Sequence, residues 1–350
     1  MKIAVLLSGG VDSSVALNLI KRDNGHDITA FYLKIWLEDD LAFLGDCPWD
    51  DDLSYARAVC EQAGVPLEIV PLQTKYFEIV VAHAIAELKA GRTPSPDILC
   101  NQRIKFGAFF EAIGDDFDKV ASGHYAQIEA RDGQFLLKRA PDPVKDQTYF
   151  LSTLSQVQLS RALFPVGTYQ KNEVRALAQE FDLPTKARKD SQGICFLGKI
   201  RYSEFVEAYL GEHSGDIIEV ETGRKWGQHR GYWFYTIGQR RGLGLHGGPW
   251  FVVKKDVKRN IVYISHKEYV EERSRRQFSV SNVHWIAGPP STNELQVKIR
   301  HSPHMQGGRI KPLGKGRLCI ILDKDDLGVA PGQSAVFYDG EICLGSGVIE

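Results

Sequence analysis

The chain lacks the features that mark membrane proteins and disulfide-stabilised secreted proteins. None of its 350 residues lies in an apolar run of the roughly 20 residues that a membrane-spanning helix needs. Its six cysteines lie far apart, and no Cys-x-x-Cys pair offers the spacing of a zinc knuckle or a thioredoxin-type site. The first apolar run begins at Lys2, which leaves no room for a signal or transit peptide. These absences predict a cytoplasmic protein with no membrane partner and no structural disulfides.

The chain also lacks an excess of charge of either sign. Its formal net charge is −1, so binding to nucleic acid would need a local basic face. Basic residues gather near the C-terminus, where few acidic residues interrupt them: Arg273, Arg275, Arg276, Lys298, Arg300, Arg309, Lys311, Lys315 and Arg317. Because a charge run is commonly a solvated face, this segment alone leaves RNA binding and simple solvation both open.

The segment Ser8–Ser14 is the most informative one that is present. It follows an apolar run typical of a buried strand and precedes an apolar face typical of a helix. Two glycines between a strand and a helix N-terminus let backbone N–H groups approach an anion, which the helix dipole also favours. The segment therefore predicts a pyrophosphate site for ATP, although a glycine turn with a capped helix would give a similar pattern.

Two better-known phosphate sites do not fit this segment. No Lys-Ser or Lys-Thr follows the glycines, as a Walker-type loop requires. A third spaced glycine, which dinucleotide binding requires, is also absent. Asp12 could cap the helix or act through a metal.

Strands and helices alternate through the first two hundred residues. We predict strands at Ile3–Leu7, Ile28–Ile35, Leu67–Val70 and Val120–Ser122, and helices at Asp12–Arg22, Asp52–Ala63, Lys75–Lys89 and Ile104–Ile113. Such alternation predicts an α/β fold with a doubly wound parallel sheet, whose ligands bind at the carboxyl ends of the strands. Further helices are predicted at Gln156–Leu163, Lys171–Phe181 and Tyr202–Leu210.

The pattern then changes to short strands. Glycines and aromatic residues from Gly223 to Trp250 indicate tight turns in a small mixed domain. Five strands are predicted after Gln277, at Phe278–Trp285, Glu294–Ile299, Arg317–Leu322, Ser334–Tyr338 and Ile342–Ile349, with one of the turns at Gly307-Gly308. They fit a small β-barrel. The predicted domains are 1–200, a parallel-sheet domain, 201–272, a central domain, and 273–350, a barrel.

Two loop cysteines lie in segments that are more polar than a structural role needs. Two prolines fix the segment Gly91–Asn101 as an extended loop, which delivers Asp97 and Cys100 to the start of a helix. If that turn is helical, the three-residue spacing places both side chains on one side, where the helix N-terminus would lower the pKa of the thiol. Cys195 follows a polar, glycine-containing loop with basic residues just upstream. A buried structural thiol is the alternative for each cysteine.

Two further polar segments lie near the predicted nucleotide site. His124 follows Gly123 at the end of a predicted strand, so its ring could stack on a base or simply be a structural histidine. The turn Lys145-Asp146-Gln147 is compatible with contacts to phosphate or sugar.

Five segments, taken in this order and spacing, resemble one known family: Ser8–Ser14, Ser95–Asn101, Ser122–Tyr125, Lys145–Phe150 and Asp190–Phe196. The chain resembles the tRNA-specific 2-thiouridylases, which belong to the PP-loop ATP pyrophosphatases. The resemblance extends over essentially the whole chain. The glycine loop identifies only the superfamily, whereas the two cysteine segments identify the family.

The resemblance implies roles for individual residues. ATP would bind at Leu6, Leu7, Ser8, Gly9, Gly10, Val11, Asp12 and Ser13, and Leu33 and Gly123 would line the adenosine pocket. Cys195 would carry a persulfide from a sulfur-donor protein, Cys100 would end the cycle in a disulfide with Cys195, and Asp97 would assist proton transfer. Ser95, Pro96 and Asp97 would lie against the target base. Contacts to tRNA would come from His124, Lys145, Asp146, Gln147, Arg300, His301 and Gln333.

Three residues depart from the family's usual pattern. Ser95 stands where asparagine is more common, and Leu6 and Leu33 replace a common glycine and methionine. The two leucines would change the shape of the pocket more than its chemistry.

The implied activity is ATP-dependent 2-thiolation of the wobble uridine in the anticodon region of tRNA. Adenylation would convert the uracil oxygen, a poor leaving group, into an AMP ester, and Mg²⁺ would neutralise the phosphates. No metal site on protein side chains is predicted. The persulfide could attack directly, or Cys100 could first release sulfide.

Two other functions fit parts of the sequence. A PP-loop synthetase or ligase acting on a small molecule would leave the two cysteines and the basic barrel without a role. An RNA-binding module with a vestigial nucleotide fold would consume no ATP.

Overall fold

The computed structural model describes residues 1–35, 49–190 and 201–350. The N-terminal region consists of β1 (Lys2–Leu6), α1 (Val11–Arg22), β2 (Asp27–Lys34), α2 (Trp49–Ala63), β3 (Leu67–Pro71), α3 (Gln73–Tyr76), a π-helical turn (Phe77–Val81), α4 (Ala82–Lys89), α5 (Pro96–Cys100), a π-helical segment (Asn101–Ala108), α6 (Phe109–Ile113), β4 (Lys119–Ala121), β5 (Ala126–Arg131), β6 (Gln134–Arg139), α7 (Thr148–Leu151), α8 (Gln156–Arg161), β7 (Ala162–Leu163) and α9 (Lys171–Glu180).

A parallel sheet forms the core of this region. Its strands lie in the order β3-β2-β1-β4-β7, and all four pairings are parallel. Residues on β1 are buried on both faces, since Ile3 and Val5 belong to one apolar cluster and Ala4 and Leu6 to another. Burial on both faces explains why β1 is an unbroken apolar run. The predicted parallel-sheet fold is confirmed.

Two predicted helices differ from the structure in their bounds and geometry. The helix predicted at Lys75–Lys89 contains a π-helical turn, and the one predicted at Ile104–Ile113 is a continuous helical run that begins earlier, at Pro96. Proline suits the first helical turn because its missing N–H would have no partner there. The Gln158 side chain donates to the carbonyls of Gln102 and Phe106 (2.8 and 2.7 Å), which supports the π-helical segment from outside the helix.

A hairpin that the sequence analysis missed links the N-terminal region to the barrel. Strands β5 and β6 are joined by Asp132 and Gly133, both at positive φ (50° and 76°), which is the geometry of a tight type I′ turn. Strand β6 also pairs with the last strand of the chain.

The helix predicted at Gln156–Leu163 ends at Arg161, because the next two residues pair with β4 as β7.

A smaller mixed region follows. It consists of α10 (Tyr202–Leu210), β8 (Gly215–Glu219), β9 (Lys225–His229), a 3₁₀ turn (Tyr232–Phe234), β10 (Trp250–Asp256), β11 (Ile261–His266) and a 3₁₀ turn (Val270–Arg273). Its strands form one sheet in the order β10-β11-β8-β9.

The C-terminal region is a closed antiparallel barrel. Its strands are β12 (Arg275–Trp285), β13 (Glu294–Lys298), β14 (Gln306–Gly314), β15 (Arg317–Asp326), β16 (Ser334–Asp339) and β17 (Ile342–Ile349). They run in the order β12-β15-β14-β13-β16-β17, and a pairing of β12 with β17 closes the barrel. The predicted barrel is confirmed, but it has six strands rather than five.

The additional strand, β14, contains the residues predicted as a turn. A side chain at Gly307 would overlap the Asp323 carboxylate on β15, so this glycine permits close strand approach. Pro312 lies beyond Arg309, the last residue of β14 paired with β13, so its missing N–H breaks no bond to that strand. Across the described residues, helices are all too short or too polar to cross a membrane.

Candidate active site

The loop between β1 and α1 has the geometry of an anion site. Gly10 is the N-cap residue of α1 and offers no side chain to cap the helix. The hydroxyls of Ser13 and Ser14 donate instead to the Gly10 carbonyl (3.1 and 2.8 Å), away from the N–H groups of the first turn. Those N–H groups and the positive end of the helix dipole therefore remain available to a negatively charged ligand.

Two glycines bring other segments against this loop. Gly9 has φ +71°, and a side chain there would overlap the Asp52 carbonyl on α2. A Cβ on Gly123 would lie 2.7 Å from the Ser13 nitrogen, so this glycine lets the segment after β4 lie against the first turn of α1. Both contacts are backbone contacts, which cannot yield as a flexible side chain can.

The residues predicted to bind ATP meet at one edge of the sheet. Leu6 ends β1, Leu33 lies near the end of the adjacent β2, and Gly123 follows the adjacent β4. The carboxyl ends of these three parallel strands, together with the Ser8–Ser13 loop, are where an α/β sheet binds its ligands. The individual ATP contacts stay a prediction.

A group of cations lies beside the loop, and Lys145 is the one among them that was predicted from the sequence to contact a ligand. Lys171 Nζ lies 2.7 Å from Asp12 Oδ1 and 2.9 Å from Asp190 Oδ1. Asp190 also pairs with Lys145 (2.6 Å) and with Arg175. Burial alone would raise the pKa of Asp190, but the hydrogen bonds from Lys145 and Lys171 outweigh it and hold that pKa well below its usual range.

Arg188 fastens the loop to α2. Its guanidinium donates to the Gly9 carbonyl and to Asp52 Oδ1, both at 2.7 Å. The same group lies over the Tyr55 ring, 4.3 Å from the ring centroid. These bonds tie the Gly9 carbonyl to α2.

The turn that carries Asp97 and Cys100 is helical. Both residues lie in α5, with Pro96 in its first turn, so the predicted three-residue spacing on one helix is observed. The Cys100 side chain is 1% exposed, and the next residue, Asn101, donates to the Phe150 carbonyl (3.1 Å). Cys195 lies outside the described residues.

The barrel holds the loop that leads into α5. Gln333 Nε2 donates to the carbonyls of Thr93 and Pro94 (3.3 and 3.0 Å), and Thr93 N donates to the Pro331 carbonyl (2.8 Å). Gln333 was predicted to contact tRNA, and in this structure its amide nitrogen positions the backbone just before Ser95. Pro96, in the first turn of α5, is buried.

His124, another predicted tRNA contact, is a buried histidine. Its Nδ1 is hydrogen-bonded to Ser122 Oγ (2.8 Å), and its ring packs in one cluster with those of Phe106 and Phe164. Burial, with a smaller contribution from the charge of Lys105, lowers the pKa of His124 well below its usual value. A contact between His124 and tRNA stays a prediction.

The turn Lys145-Asp146-Gln147 faces the protein interior more than solvent. Gln147 Oε1 accepts from the Tyr125 nitrogen (2.9 Å), and Tyr125 Oη in turn donates to Asp12 (2.9 Å). Asp146 is fully buried and bonds to Lys298 of the barrel. The turn therefore joins the anion loop to the barrel.

Arg300 and His301 come shortly after β13 in the barrel, and His301 contacts the turn that carries Asp146. The Arg300 side chain is 54% exposed and pairs with Asp326 at 3.0 Å. His301 Nε2 lies 3.1 Å from the Asp146 carbonyl, and its ring is tilted over that of Phe150 at 4.6 Å. Burial lowers the pKa of His301, although the nearby carboxylates of Asp146 and Asp97 oppose that shift.

The buried pair Asp146–Lys298 gives a stability prediction. The side chains are both fully buried and lie 3.0 Å apart, and Arg139 Nε also reaches Asp146 Oδ2 (3.0 Å). Lys298→Met leaves a buried carboxylate with one cation fewer, so we expect a loss of about 3 kcal/mol in the free energy of unfolding. Urea denaturation followed by tryptophan fluorescence measures it.

The exposed pair Arg309–Glu294, also on the barrel and 3.1 Å apart, supplies the control. Arg309→Met should change the free energy of unfolding by less than about 1 kcal/mol. Equal losses from both substitutions would contradict the assigned role of Lys298.

The fit of a magnesium ion depends on Asp12. Within the described ranges, no three His, Cys, Asp or Glu side chains are grouped so that they could hold a metal ion. Magnesium is usually held by one or two carboxylates and by phosphate oxygens of a bound nucleotide. Asp12, on the first turn of α1 beside the anion site, fits that requirement as a single protein ligand.

Comparisons with known proteins place the whole chain in one family. Residues 1–199 match the family described as tRNA methyl transferase HUP domain, residues 203–266 the tRNA methyl transferase PRC-barrel domain, and residues 275–349 the aminomethyltransferase beta-barrel domain. The tRNA-specific 2-thiouridylase MnmA 1 of Bacteroides thetaiotaomicron is 48% identical over 356 residues, which cover 100% of this chain and 99% of that protein. The chain belongs to the tRNA-specific 2-thiouridylase family.

Two further relatives agree. The tRNA-specific 2-thiouridylase MnmA of Parabacteroides distasonis is 46% identical over 356 residues, and that of Porphyromonas gingivalis is 43% identical over 362 residues. Each alignment covers 100% of this chain and 99% of the relative. The family predicted from the two cysteine segments is confirmed, and with it the sulfurtransferase class.

Proposed function

We propose that this protein catalyses the ATP-dependent 2-thiolation of the wobble uridine of tRNA. The observation that carries the proposal is the anion site at the N-terminus of α1, in a chain that aligns over its full length with 2-thiouridylases. The matched families at residues 1–199 and 203–266 are described as tRNA methyl transferases. A methyl transferase would have no use for a pyrophosphate site, so this site supports thiolation rather than methyl transfer.

ATP first activates the base. The uracil O2 attacks the α-phosphorus of ATP, which forms a C2–O–AMP ester and breaks the bond to pyrophosphate. The pyrophosphate leaves into the Ser8–Ser13 loop, where the N–H groups of the first turn of α1 stabilise its charge. Leu33 and Gly123 line the adenosine pocket. Magnesium, when bound, neutralises phosphate charge, and Asp12 would be its protein ligand.

Sulfur then replaces the AMP oxygen. In the direct route, the terminal sulfur of a Cys195 persulfide attacks C2, and AMP leaves with the former uracil oxygen. Cys100 attacks the Cys195 sulfur, which breaks the S–S bond, leaves sulfur on C2 and forms a Cys100–Cys195 disulfide. In the alternative route Cys100 attacks first and releases the sulfide that attacks C2. In both routes the terminal persulfide sulfur is reduced to the sulfide level while the Cys100 thiol is oxidised into the disulfide with Cys195, and a thiol reductant must reduce that disulfide before the next cycle.

Asp97 is the residue that would move a proton near the reacting sulfur. It shares α5 with Cys100, and its charge acts on His301 of the barrel. We propose that Asp97 accepts the proton of the Cys100 thiol. Ser95, Pro96 and Asp97 would also contact the target base. Gln333 on the barrel donates the hydrogen bonds that hold the backbone just before this segment. A tRNA that docks on the barrel would therefore act directly on the segment that carries Asp97 and Cys100.

The partners follow from the chemistry. The anticodon region of tRNA would contact the exposed Arg300 and the neighbouring surface, with His301, Lys145 and Gln333 at the edge of the site. A persulfide-bearing protein would load Cys195. A reaction that uses tRNA, ATP and a protein persulfide belongs in the cytoplasm.

An assay with purified components tests the proposal. Unmodified tRNA, ATP, magnesium and a sulfide or persulfide source should yield 2-thiouridine, with one AMP and one pyrophosphate per thiolated base. An ATP analogue with a non-cleavable α,β-bridge should give no product, because no AMP ester can form. Thiolation with that analogue, or without any nucleotide, would overturn the proposal.

A further inference from the structure

The anion loop lacks a lysine of its own. A Walker-type loop carries a lysine that reaches the phosphates, whereas here Ser8–Ser14 offers hydroxyls and backbone N–H groups only. These groups supply partial charges, but a departing pyrophosphate carries several full negative charges. Magnesium would neutralise part of this charge, and a cation from elsewhere in the chain would stabilise the remainder during the proposed adenylation.

The structure brings one lysine to the loop from a distant part of the chain. Lys171 begins α9, and its Nζ lies 2.7 Å from Asp12 Oδ1, on the first turn of α1. The same Nζ lies 2.9 Å from Asp190 Oδ1 and 5.8 Å from the centroid of the Tyr125 ring. Its side chain is 14% exposed. The ammonium is thus held against Asp12, which lies in the same helical turn as the anion-binding N–H groups.

The position of Lys171 in α9 is unfavourable for the helix itself. A cation in the first turn opposes the helix dipole, which favours acidic residues there. α9 satisfies that preference with Glu173, whose carboxylate accepts from the Gln170 nitrogen at 2.6 Å. Lys171 is therefore placed by its contacts with Asp12 and Asp190 rather than by a need of the helix.

We propose that Lys171 binds the pyrophosphate portion of ATP and neutralises it as it departs. This inference rests on the proposed ATP-dependent function. Before nucleotide binds, the carboxylates of Asp12 and Asp190 hold the ammonium in place. Phosphate oxygens then compete with Asp190 for Lys171 and for Lys145, which pairs with the other Asp190 oxygen (2.6 Å). A lysine 159 positions after Asp12 in sequence supplies the charge that a Walker lysine supplies from within the loop.

A purely structural strut is the competing explanation, and it predicts a different pattern. If Lys171 only links Asp12 to Asp190 and so supports the loop, removing Lys171 or neutralising Asp190 should weaken pyrophosphate binding alike. A phosphate-binding lysine loses affinity for pyrophosphate when Lys171 is removed, but gains affinity when its competitor Asp190 is neutralised. The two explanations therefore differ in the sign of the Asp190→Asn effect.

Calorimetric titration of the full-length protein with inorganic pyrophosphate and, separately, with AMP tests the proposal. Lys171→Met should weaken pyrophosphate binding by about tenfold to a hundredfold, the value of a hydrogen bond to a charged group, and change AMP binding by less than about twofold. Lys171→Arg should restore most of the affinity. Asp190→Asn should tighten pyrophosphate binding. Lys186→Met is the matched control, since Lys186 pairs with the exposed Asp182, and it should change neither ligand.

Unchanged pyrophosphate affinity in Lys171→Met would overturn the proposal, as would equal losses for pyrophosphate and AMP. Weaker pyrophosphate binding in Asp190→Asn would also overturn it, and this arm remains decisive if Lys171→Met does not fold. Failure of the proposed function itself is distinguishable, because the unsubstituted protein would then form no 2-thiouridine in the tRNA assay, whatever the variants do to pyrophosphate binding.

Discussion

In a single turnover without added reductant, replacing Cys100 by serine is expected to reduce 2-thiouridine formation by at least about a thousandfold, as for other essential nucleophiles, while ATP and tRNA still bind. Serine has nearly the shape of cysteine, so the 1%-exposed site in α5 should tolerate it. Its hydroxyl cannot attack the Cys195 sulfur to form a disulfide. Mass spectrometry of digested tRNA measures the product, and filter binding measures tRNA affinity.

The same variant separates the two routes for sulfur. With a Cys195 persulfide and direct attack, Cys100→Ser should trap tRNA joined to the protein through a disulfide bridge at C2, released by reductant. With prior release of sulfide, no such adduct forms. Full thiolation by Cys100→Ser, with or without an adduct, would contradict the role assigned to Cys100.

Cys60 supplies the matched control. It is also buried, on α2 of the same region, and burial raises the pKa of its thiol to about 11. A thiol with that pKa is almost entirely protonated at neutral pH and is inert as a nucleophile. Cys60→Ser should therefore retain thiolation within about twofold, since the substitution removes no reacting group.

Replacing Gly9 by alanine is expected to abolish ATP binding and to lower the free energy of unfolding by several kcal/mol. The residue has φ +71°, which costs a non-glycine residue about 1–2 kcal/mol. Its new side chain would overlap the Asp52 carbonyl, so the loop must move away from α2 and from Arg188, which holds the Gly9 carbonyl at 2.7 Å. Thermal unfolding and ATP titration measure the two effects.

Gly10→Ala tests whether the backbone strain and the clash with Asp52 cause the losses expected for Gly9→Ala. Gly10 has φ −85°, and a Cβ there would meet only the Ser8 hydroxyl, at 3.4 Å. We expect its stability to change by less than about 1 kcal/mol, because neither strain nor a backbone clash arises. Equal destabilisation by the two substitutions would show that the loop is not held by the contacts described for Gly9.

The parallel sheet and the barrel could be predicted because their sequences carry strong local patterns. β1 is apolar on both faces, and the barrel strands are punctuated by turn residues. Strand β14 was missed because Gly307 and Gly308 look like a turn when their partners on β13 and β15 are unknown. The β5–β6 hairpin was missed although Asp132-Gly133 is a strong turn signal, because an alternation of strands and helices leaves no place for two consecutive strands in this region.

The candidate site was predictable where its residues are contiguous. The Ser8–Ser14 loop and the α5 pair Asp97 and Cys100 are local motifs, so the sequence placed them on the correct elements. Lys171 and Arg188 reach the loop from more than 150 positions away, and only the fold brings them there. A lysine in the first turn of a helix is unfavourable and was the one available signal.

The fate of the uridine O2 atom tests the central claim most directly. A tRNA with ¹⁸O at O2 of the wobble uridine would be thiolated with unlabelled ATP in ordinary water, and the nucleotide products analysed by mass spectrometry. Adenylation predicts that every thiolated base transfers its ¹⁸O to the phosphate of AMP, with none in pyrophosphate. Unlabelled AMP, with the label in water, phosphate or pyrophosphate, would contradict the account.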